Sequence, residues 1–392
     1  MKKIFLKIHL WLSVPFGIVL FLICFSGAML VFEEEITELV QHDRYHVEQP
    51  SAGAQPLPLG KIARMVEEGQ ADGATVRGIT VFPDPERAYQ VSLSNSGRGY
   101  LLVDPYTGEV KGQSERLAFF QFMFRMHRWL LDSRPTGEDG AIFWGKKIVG
   151  VSTLVFLVIL ITGIVVWWPR TVKALKNSLK LFVGQGKFRF WHSLHVAGGM
   201  YALLFLLLMA LTGLTWSFPW YSRAFYALCG ADASQTGSHG SAGRSSHGGS
   251  GGNREGAGAR PEGRQRSAGT DFSRWQEVYD RLAATQPRNL KIQVADGTAT
   301  VSNNRWGNMR GSDRYSFDPK SGEILSATLY RDGQKSGKIR GWIYSLHVGS
   351  WGGLLTRILA FLAALLGASL PLTGYYLWIR RLWRKRKAAT TA

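Results

Sequence analysis

The 392-residue chain reads as a membrane protein: four transmembrane α-helices carry two α+β modules on one side, and the whole is internally duplicated. Three observations predict this: four uncharged apolar runs, a lopsided distribution of basic residues, and a turn motif written twice. The runs are Ile8–Phe32, Ile148–Trp168, Leu194–Trp216 and Ile358–Ile379, and none contains Asp, Glu, Lys or Arg. Each reaches the roughly 20 residues needed to cross a hydrocarbon core of about 30 Å. Trp residues stand near their ends, where aromatic side chains settle at the headgroup level. The first run follows "MKK" but is too long for the apolar region of a signal peptide. "FSGAMLVFEEE" is a poor cleavage site, so an uncleaved span is expected.

The formal net charge is +19, but its placement argues against nucleic acid as a partner. Fifteen of the 47 lysines and arginines, and none of the 28 acids, lie in three stretches: residues 1–7, the segment 169–190 and the tail 380–392. The rest of the chain is nearly balanced. Basic residues confined to alternate connections are the positive-inside pattern. Both termini and the middle connection are therefore expected in the cytoplasm of a bacterial inner membrane. The two large hydrophilic segments are expected outside, in the periplasm of a Gram-negative source.

The duplication is legible in both parts. "VDPYTGEV" (Val103–Val110) matches "FDPKSGEI" (Phe317–Ile324), and Asp-Pro-x-x-Gly suits a tight turn in which Gly takes positive φ. Alternating apolar strands precede each copy, and helical stretches ("LGKIARMVEEG", "FSRWQEVYDRLAATQ") stand ahead of the strands. In the spans, His9 and Gly27 are 18 residues apart, as are His195 and Gly213. Eighteen residues make five whole turns, about 27 Å of rise, so each His shares a helix face with its Gly. Thr162-Gly163 and Thr373-Gly374 place a similar small pair in the other two spans.

The expected plan is a span at 8–32, a module at 33–126, an interfacial segment with the second span at 127–168 and a cytoplasmic loop at 169–190. A third span (191–216), a second module (217–346), an interfacial segment with the fourth span (347–379) and a basic tail (380–392) follow. Residues 231–270, rich in Gly, Ser and Arg, read as a flexible insert without the apolar residues to build a core.

The two cysteines, Cys24 and Cys229, sit in neither CxxC nor CxxCH contexts. That excludes c-type haem attachment and leaves no cysteine-based zinc or iron–sulfur site. Of nine histidines, His239 and His247 lie in the insert. His42 and His46 sit four apart in "HDRYH", a metal pair if helical and otherwise exposed surface. Five remain. His9 and His195 open spans one and three at the cytoplasmic end; His127 and His347 precede spans two and four on the outer side. All are in apolar, aromatic settings poor in carboxylates, which disfavours a hard metal ion. Neutral imidazoles in an apolar bundle, beside glycines that make room for a flat ring, suit b-type haem with two axial histidines. Repeat position and sidedness pair His9 with His195 on one haem and His127 with His347 on a second. Gly27 and Gly213 are candidates for packing against the cofactor. His192 lies nearly one turn before His195 and is a further candidate: it could orient a propionate, relay protons or do neither.

"KIHLWLSVPFG", "RMHRWLL", "LTGLTW", "SLHVGSWGG" and the paired turn motif resemble the PepSY-associated transmembrane family. More closely, they resemble its iron-regulated ferrisiderophore reductases of the FoxB type. The resemblance covers the chain except the insert. It implies periplasmic PepSY-like modules, two haems on His9, His127, His195 and His347, and reduction of ferric siderophores in the periplasm to release ferrous iron. His192 is not a usual position of that family. Reduction suits iron release, because hard siderophore oxygens prefer Fe³⁺ to Fe²⁺. Arg125, Arg128, Trp129, Trp342 and Trp351 could hold propionates or the chelate, or serve as interface anchors. There is no GxGxxG after a strand, so electrons would come from a quinol or a cytoplasmic reductase. The rival readings are a non-catalytic PepSY binding or regulatory protein whose spans are anchors in membrane lipid, and a di-haem electron carrier serving a partner enzyme.

Overall fold

The computed structural model describes residues 2–49, 51, 53–95, 99–133, 142–232, 270–303 and 307–390. The helices are α1 (Lys2–Met29), α2 (Glu33–Val40), α3 (His42–Tyr45), α4 (Leu59–Glu68), α5 (Ala118–Trp129), α6 (Trp144–Trp167) and α7 (Val172–Ser178). Then come α8 (Lys187–Ser193), a π-helical turn (Leu194–Gly198), α9 (Gly199–Ser217), α10 (Pro219–Leu228), α11 (Trp275–Thr285), α12 (Lys335–Val348) and α13 (Gly353–Thr390). The first four strands are β1 (Val76–Val81), β2 (Tyr89–Leu93), β3 (Leu101–Val103) and β4 (Val110–Gln113); the second four are β5 (Lys291–Ala295), β6 (Thr298–Ser302), β7 (Ser312–Phe317) and β8 (Ile324–Thr328). The insert residues 233–269, with His239 and His247, lie outside the described residues. Two compact units result: Met1–Glu33, Leu117–Ala233 and Trp342–Ala392 form one, and Glu34–Arg116 with Ser234–Gly341 form the other.

The first unit is a helical bundle. Four of its helical stretches are long and apolar enough to cross a membrane: Lys2–Met29, Trp144–Trp167, Lys187–Ser217 and Ser350–Arg384. Both α1 and α9 pack against α6 and α13, giving a four-membered ring. Lys2 Nζ donates to the Trp168 carbonyl (2.6 Å), so α1 begins where α6 ends. The centre of the ring is apolar, with Leu20, Phe156, Ile159, Leu160, Ala202, Leu206 and Ala363 in contact. Outward-facing positions are apolar too, Ile18, Ile161, Leu204 and Leu355 among them. A helix apolar all round suits lipid, not water. The protein is a multi-pass membrane protein.

The second unit is built on one sheet of order β4-β3-β2-β1-β5-β6-β7-β8, antiparallel throughout. Two separate α+β modules were expected; instead the two four-stranded meanders join through β1 and β5, with Ile79 opposite Val294 and Val81 opposite Ile292. The join satisfies the backbone of two strands that would otherwise be open edges. One core serves both halves. Helix α4 contributes Leu59, Ile62, Ala63 and Val66, and α11 contributes Trp275, Val278 and Leu282, the i, i+3, i+4, i+7 spacing of a helix lying on a sheet. Gln276 Oε1 on α11 accepts the Leu59 N–H at the start of α4 (3.0 Å).

The repeated turn is the same in both halves. Asp104 Oδ1 accepts the Tyr106 N–H (2.8 Å) and Asp318 Oδ1 the Lys320 N–H (2.9 Å). Gly108 and Gly322 follow with φ of 78° and 73°, the left-handed region that Gly enters without a Cβ penalty. Ile79, fully buried on the central strand, is the position where truncation should cost the sheet most. Ile79→Ala is expected to destabilise this unit by about 2–5 kcal/mol, read as a lowered unfolding midpoint in the solubilised protein. An unchanged midpoint would mean that the shared core is not what holds the sheet.

Candidate bis-histidine centres

The four spans repeat one local device: a helix carries Ser-Gly or Thr-Gly, and an imidazole from another helix sits on it. Gly has no Cβ, so the ring can press against the helix wall. A Cβ on Gly163 would stand 3.4 Å from His9 Cε1, one on Gly374 3.5 Å from His195 Cε1, and one on Gly213 3.3 Å from His347 Cε1. On Gly27 it would stand 2.8 Å from His127 Cε1. Each glycine therefore seats a histidine. Gly27 and Gly213, the candidates for packing against a cofactor, have the edges of His127 and His347 against them. The small pairs in the second and fourth spans, Thr162-Gly163 and Thr373-Gly374, do the same for His9 and His195.

The threonine before three of the glycines, and helix carbonyls one turn back, fix the rings. His9 Nδ1 lies 3.1 Å from both the Ile159 carbonyl and Thr162 Oγ1. His347 Nδ1 lies 3.1 Å from the Met209 carbonyl and 3.0 Å from Thr212 Oγ1. His195 Nδ1 is 2.8 Å from Thr373 Oγ1, and His127 Nδ1 is 2.9 Å from the Ile23 carbonyl. A carbonyl only accepts. The threonine hydroxyls give their own protons to helix carbonyls: Thr162 to Ile159 (3.0 Å), Thr373 to Leu370 (2.9 Å) and Thr212 to Leu208 (2.5 Å). The rings of His9, His347 and His127, which face carbonyls, must therefore donate from Nδ1, and with the Thr373 proton on Leu370 that of His195 donates too, which leaves Nε2 as the lone-pair nitrogen. Anchoring one ring nitrogen so that the other is presented to a metal is the usual arrangement around a ligating histidine.

The rings come together in two pairs. His9 and His195 have centroids 6.5 Å apart with planes at 87°. His127 and His347 have centroids 6.0 Å apart with planes at 57°. A metal–imidazole bond is about 2.0–2.1 Å, and the ring centre lies about 1 Å behind the nitrogen. Two imidazoles on opposite sides of one metal thus have centroids roughly 6 Å apart. Among the described residues no group of three or more His, Cys, Asp or Glu could hold a metal ion. A metal between these pairs would need its remaining donors from a group that brings its own, as a porphyrin does.

Irregular backbone places three of the four ligand candidates. His195 lies within the π-helical turn that joins α8 to α9, a feature that re-aims side chains and recurs at functional sites. Helix α5 stops just after His127, with Leu130 and Leu131 both left-handed (φ 51° and 67°). Such conformations cost a non-Gly residue about 1–2 kcal/mol each, and they are tied down here: Arg125 Nη2 donates to the Leu131 carbonyl (3.1 Å). Residues 134–141, which follow, lie outside the described ones. After His347 the chain turns at Gly349 (φ 75°) and Gly353 (φ 69°) before α13. Trp216 packs edge-on to His347 with centroids 4.9 Å apart.

Other candidates fall elsewhere. His192 is exposed and its ring lies against Phe188, 6.0 Å between centroids, not between His9 and His195. Arg128 lies over the rings of Phe124 and Trp129. The Trp129 carbonyl sits against Gly145, whose N–H is capped by Asp132 Oδ2 (2.8 Å). Trp342 and Trp351 are partly exposed. The His42 and His46 rings stack face to face, 4.4 Å apart and 11° from parallel. Imidazole lone pairs lie in the ring plane, so stacked rings cannot aim at one ion. Cys24 and Cys229 are free. The anchoring hydroxyls, the carbonyls of Ile23, Ile159 and Met209, and the π-helical turn were not anticipated. The signal for the first was present in four Ser/Thr-Gly pairs, one per span.

No curated protein matches the chain. The description that does match, over residues 6–381, is the PepSY-associated TM region. With four helices among the described residues long and apolar enough to cross a membrane, and an antiparallel sheet, the chain belongs to the PepSY-associated transmembrane family.

Proposed function

We propose that the protein is a transmembrane oxidoreductase that carries electrons across the bilayer on two b-type haems to a ferric siderophore outside. What supports this best is the pair of imidazole pairs, each at the spacing of one iron and each anchored through Nδ1, at opposite ends of an apolar bundle. His9 and His195 would hold the inner haem; His127 and His347 would hold the outer one. Haem iron supplies a one-electron Fe³⁺/Fe²⁺ couple. The chain would supply the rest: two imidazoles for each haem, Nδ1 anchors that keep Nε2 free, and walls of Leu, Ile and Phe that exclude water and ions. Along α1, His9 and the Gly27 seat of His127 are separated by about 27 Å of rise, close to the thickness of the hydrocarbon core.

One electron from a cytoplasmic-side quinol or reductase converts one chelated Fe³⁺ to Fe²⁺, with no atom transferred. The ferric siderophore as acceptor rests on resemblance to the ferrisiderophore reductases. It also fits hard oxygen chelators, which release Fe²⁺ more readily. The inner membrane, cytoplasmic termini and an outward-facing, duplicated pair of PepSY-like modules rest on the acid-free basic stretches and the repeated turn.

The detergent-purified protein is expected to show the absorption of two low-spin b-type haems per chain. In vesicles with reductant sealed inside, ferric siderophore outside should yield ferrous iron. A haem-free preparation would favour a binding or regulatory role instead. Haem without chelate reduction would favour an electron carrier for a partner. For sidedness, a reporter fused at Ala392 is expected to be active only when it is one that works in the cytoplasm. Activity of a periplasm-only reporter there would invert the topology.

A further inference from the structure

The four histidine seats are not equivalent. Three rings have a threonine hydroxyl within hydrogen-bond distance of Nδ1: His9 has Thr162, His195 has Thr373 and His347 has Thr212. At the fourth seat the equivalent residue is Ser26, whose hydroxyl turns back onto the Leu22 and Ile23 carbonyls (2.5 and 3.2 Å). His127 Nδ1 is left with the Ile23 carbonyl. The inner pair thus rests on two hydroxyls and the outer pair on one.

A threonine that has given its proton to a helix carbonyl is polarised, and its oxygen is a better acceptor for the Nδ1–H. A stronger bond at Nδ1 raises the basicity of Nε2, and a more electron-rich axial ligand favours Fe³⁺ over Fe²⁺. Hydrogen bonding behind the axial ligands is one of the levers a protein has on haem potential. Resting on the di-haem reading above, we infer that the threonine count sets the inner centre at a lower reduction potential than the outer one. An electron moving from the inner pair to the outer pair then runs downhill, and the direction is written into four equivalent helix positions. Thr162, Thr373 and Thr212 are positioning residues in this scheme: they act through the imidazoles.

The test is a potentiometric titration of the purified holoprotein followed by absorption, with each centre identified by its loss in a ligand variant. The inner centre should titrate lower in the wild type. Thr373→Val, which keeps the shape and removes the hydroxyl, should raise the inner potential. Thr212→Val should raise the outer one. The expected shift is about tenfold in the Fe³⁺/Fe²⁺ preference, which is about 59 mV for one electron. Ser26→Ala should leave the outer potential where it was, because its hydroxyl is not on the ring. If Thr373→Val sheds its haem, Thr212→Val against Ser26→Ala still decides within the other centre. An inner potential equal to or above the outer one, unmoved potentials in both threonine variants, or a Ser26→Ala shift as large as that of Thr212→Val overturns this inference and leaves the di-haem reading standing. Absence of haem from the wild type, visible before any titration, removes both.

Discussion

His9→Ala and His195→Ala are expected to remove the same component from the haem spectrum, and His127→Ala and His347→Ala the other. The argument is geometric. Each pair spans about the distance of two imidazoles on one iron, 6.5 Å inside and 6.0 Å outside, and the described residues offer no third side-chain ligand. Loss of an anchoring partner behind a ligand typically costs 10–100-fold in affinity. Loss of the ligand itself should exceed that, so the affected haem should fall to background. The two ferric centres should also differ by electron paramagnetic resonance, because their ring planes cross at 87° inside and 57° outside. Either inner substitution should abolish reduction of an external ferric siderophore driven from inside. When a small reductant is supplied outside, loss of the inner centre should be tolerated better than loss of the outer. His192→Ala is expected to keep both haems, since its exposed ring packs on Phe188. Four alanine variants that each retain both components, or a His192→Ala variant that loses the inner one while His195→Ala keeps it, would overturn the assignment.

Long-period features were legible in the sequence, and contacts between distant elements were not. The spans could be read because a bilayer demands about 20 uncharged residues in a row. The repeated turn could be read because Asp-Pro-x-x-Gly has few other uses. That β1 and β5 join the two meanders into one sheet could not be read. "VRGITV" and "LKIQVA" both look like half-buried strands, and nothing local says which neighbour takes the open edge. The candidate centres divide in the same way. Repeat position grouped His9 with His195 and His127 with His347, as the structure does. It also put His9 and Gly27, five turns apart, on one face of α1 without saying what meets them there: Gly27 seats His127, and His9 is seated by Gly163. A helical wheel shows that two residues share a face, not which helix arrives there. The π-helical turn at His195 has no signature in "SLHVAGG", because a widened turn is a response to packing rather than a local preference.

The glycine seats give the second large effect, and it should be graded by space. Gly27 is the tightest: a Cβ there would approach His127 Cε1 to 2.8 Å, closer than two carbons can pack without moving. The Ile23 carbonyl one turn back on the same helix holds that ring in place, so yielding breaks the anchor and tilts Nε2 off its axis. Gly27→Ala is therefore expected to lose or loosen the outer haem and leave the inner one bound. Gly374 has more room, with His195 Cε1 at 3.5 Å, an ordinary van der Waals distance. Gly374→Ala should keep both haems and could gain about 0.5–1 kcal/mol from the lower backbone freedom of Ala in a helix. Gly374→Leu, whose branch must occupy the seat, should lose the inner haem as completely as His195→Ala does. Haem content per chain in purified Gly27→Ala, Gly374→Ala and Gly374→Leu decides the matter. Equal retention in all three would mean that the imidazoles are not seated on glycine, whereas loss from Gly374→Ala alone would mean that the inner seat is the tight one.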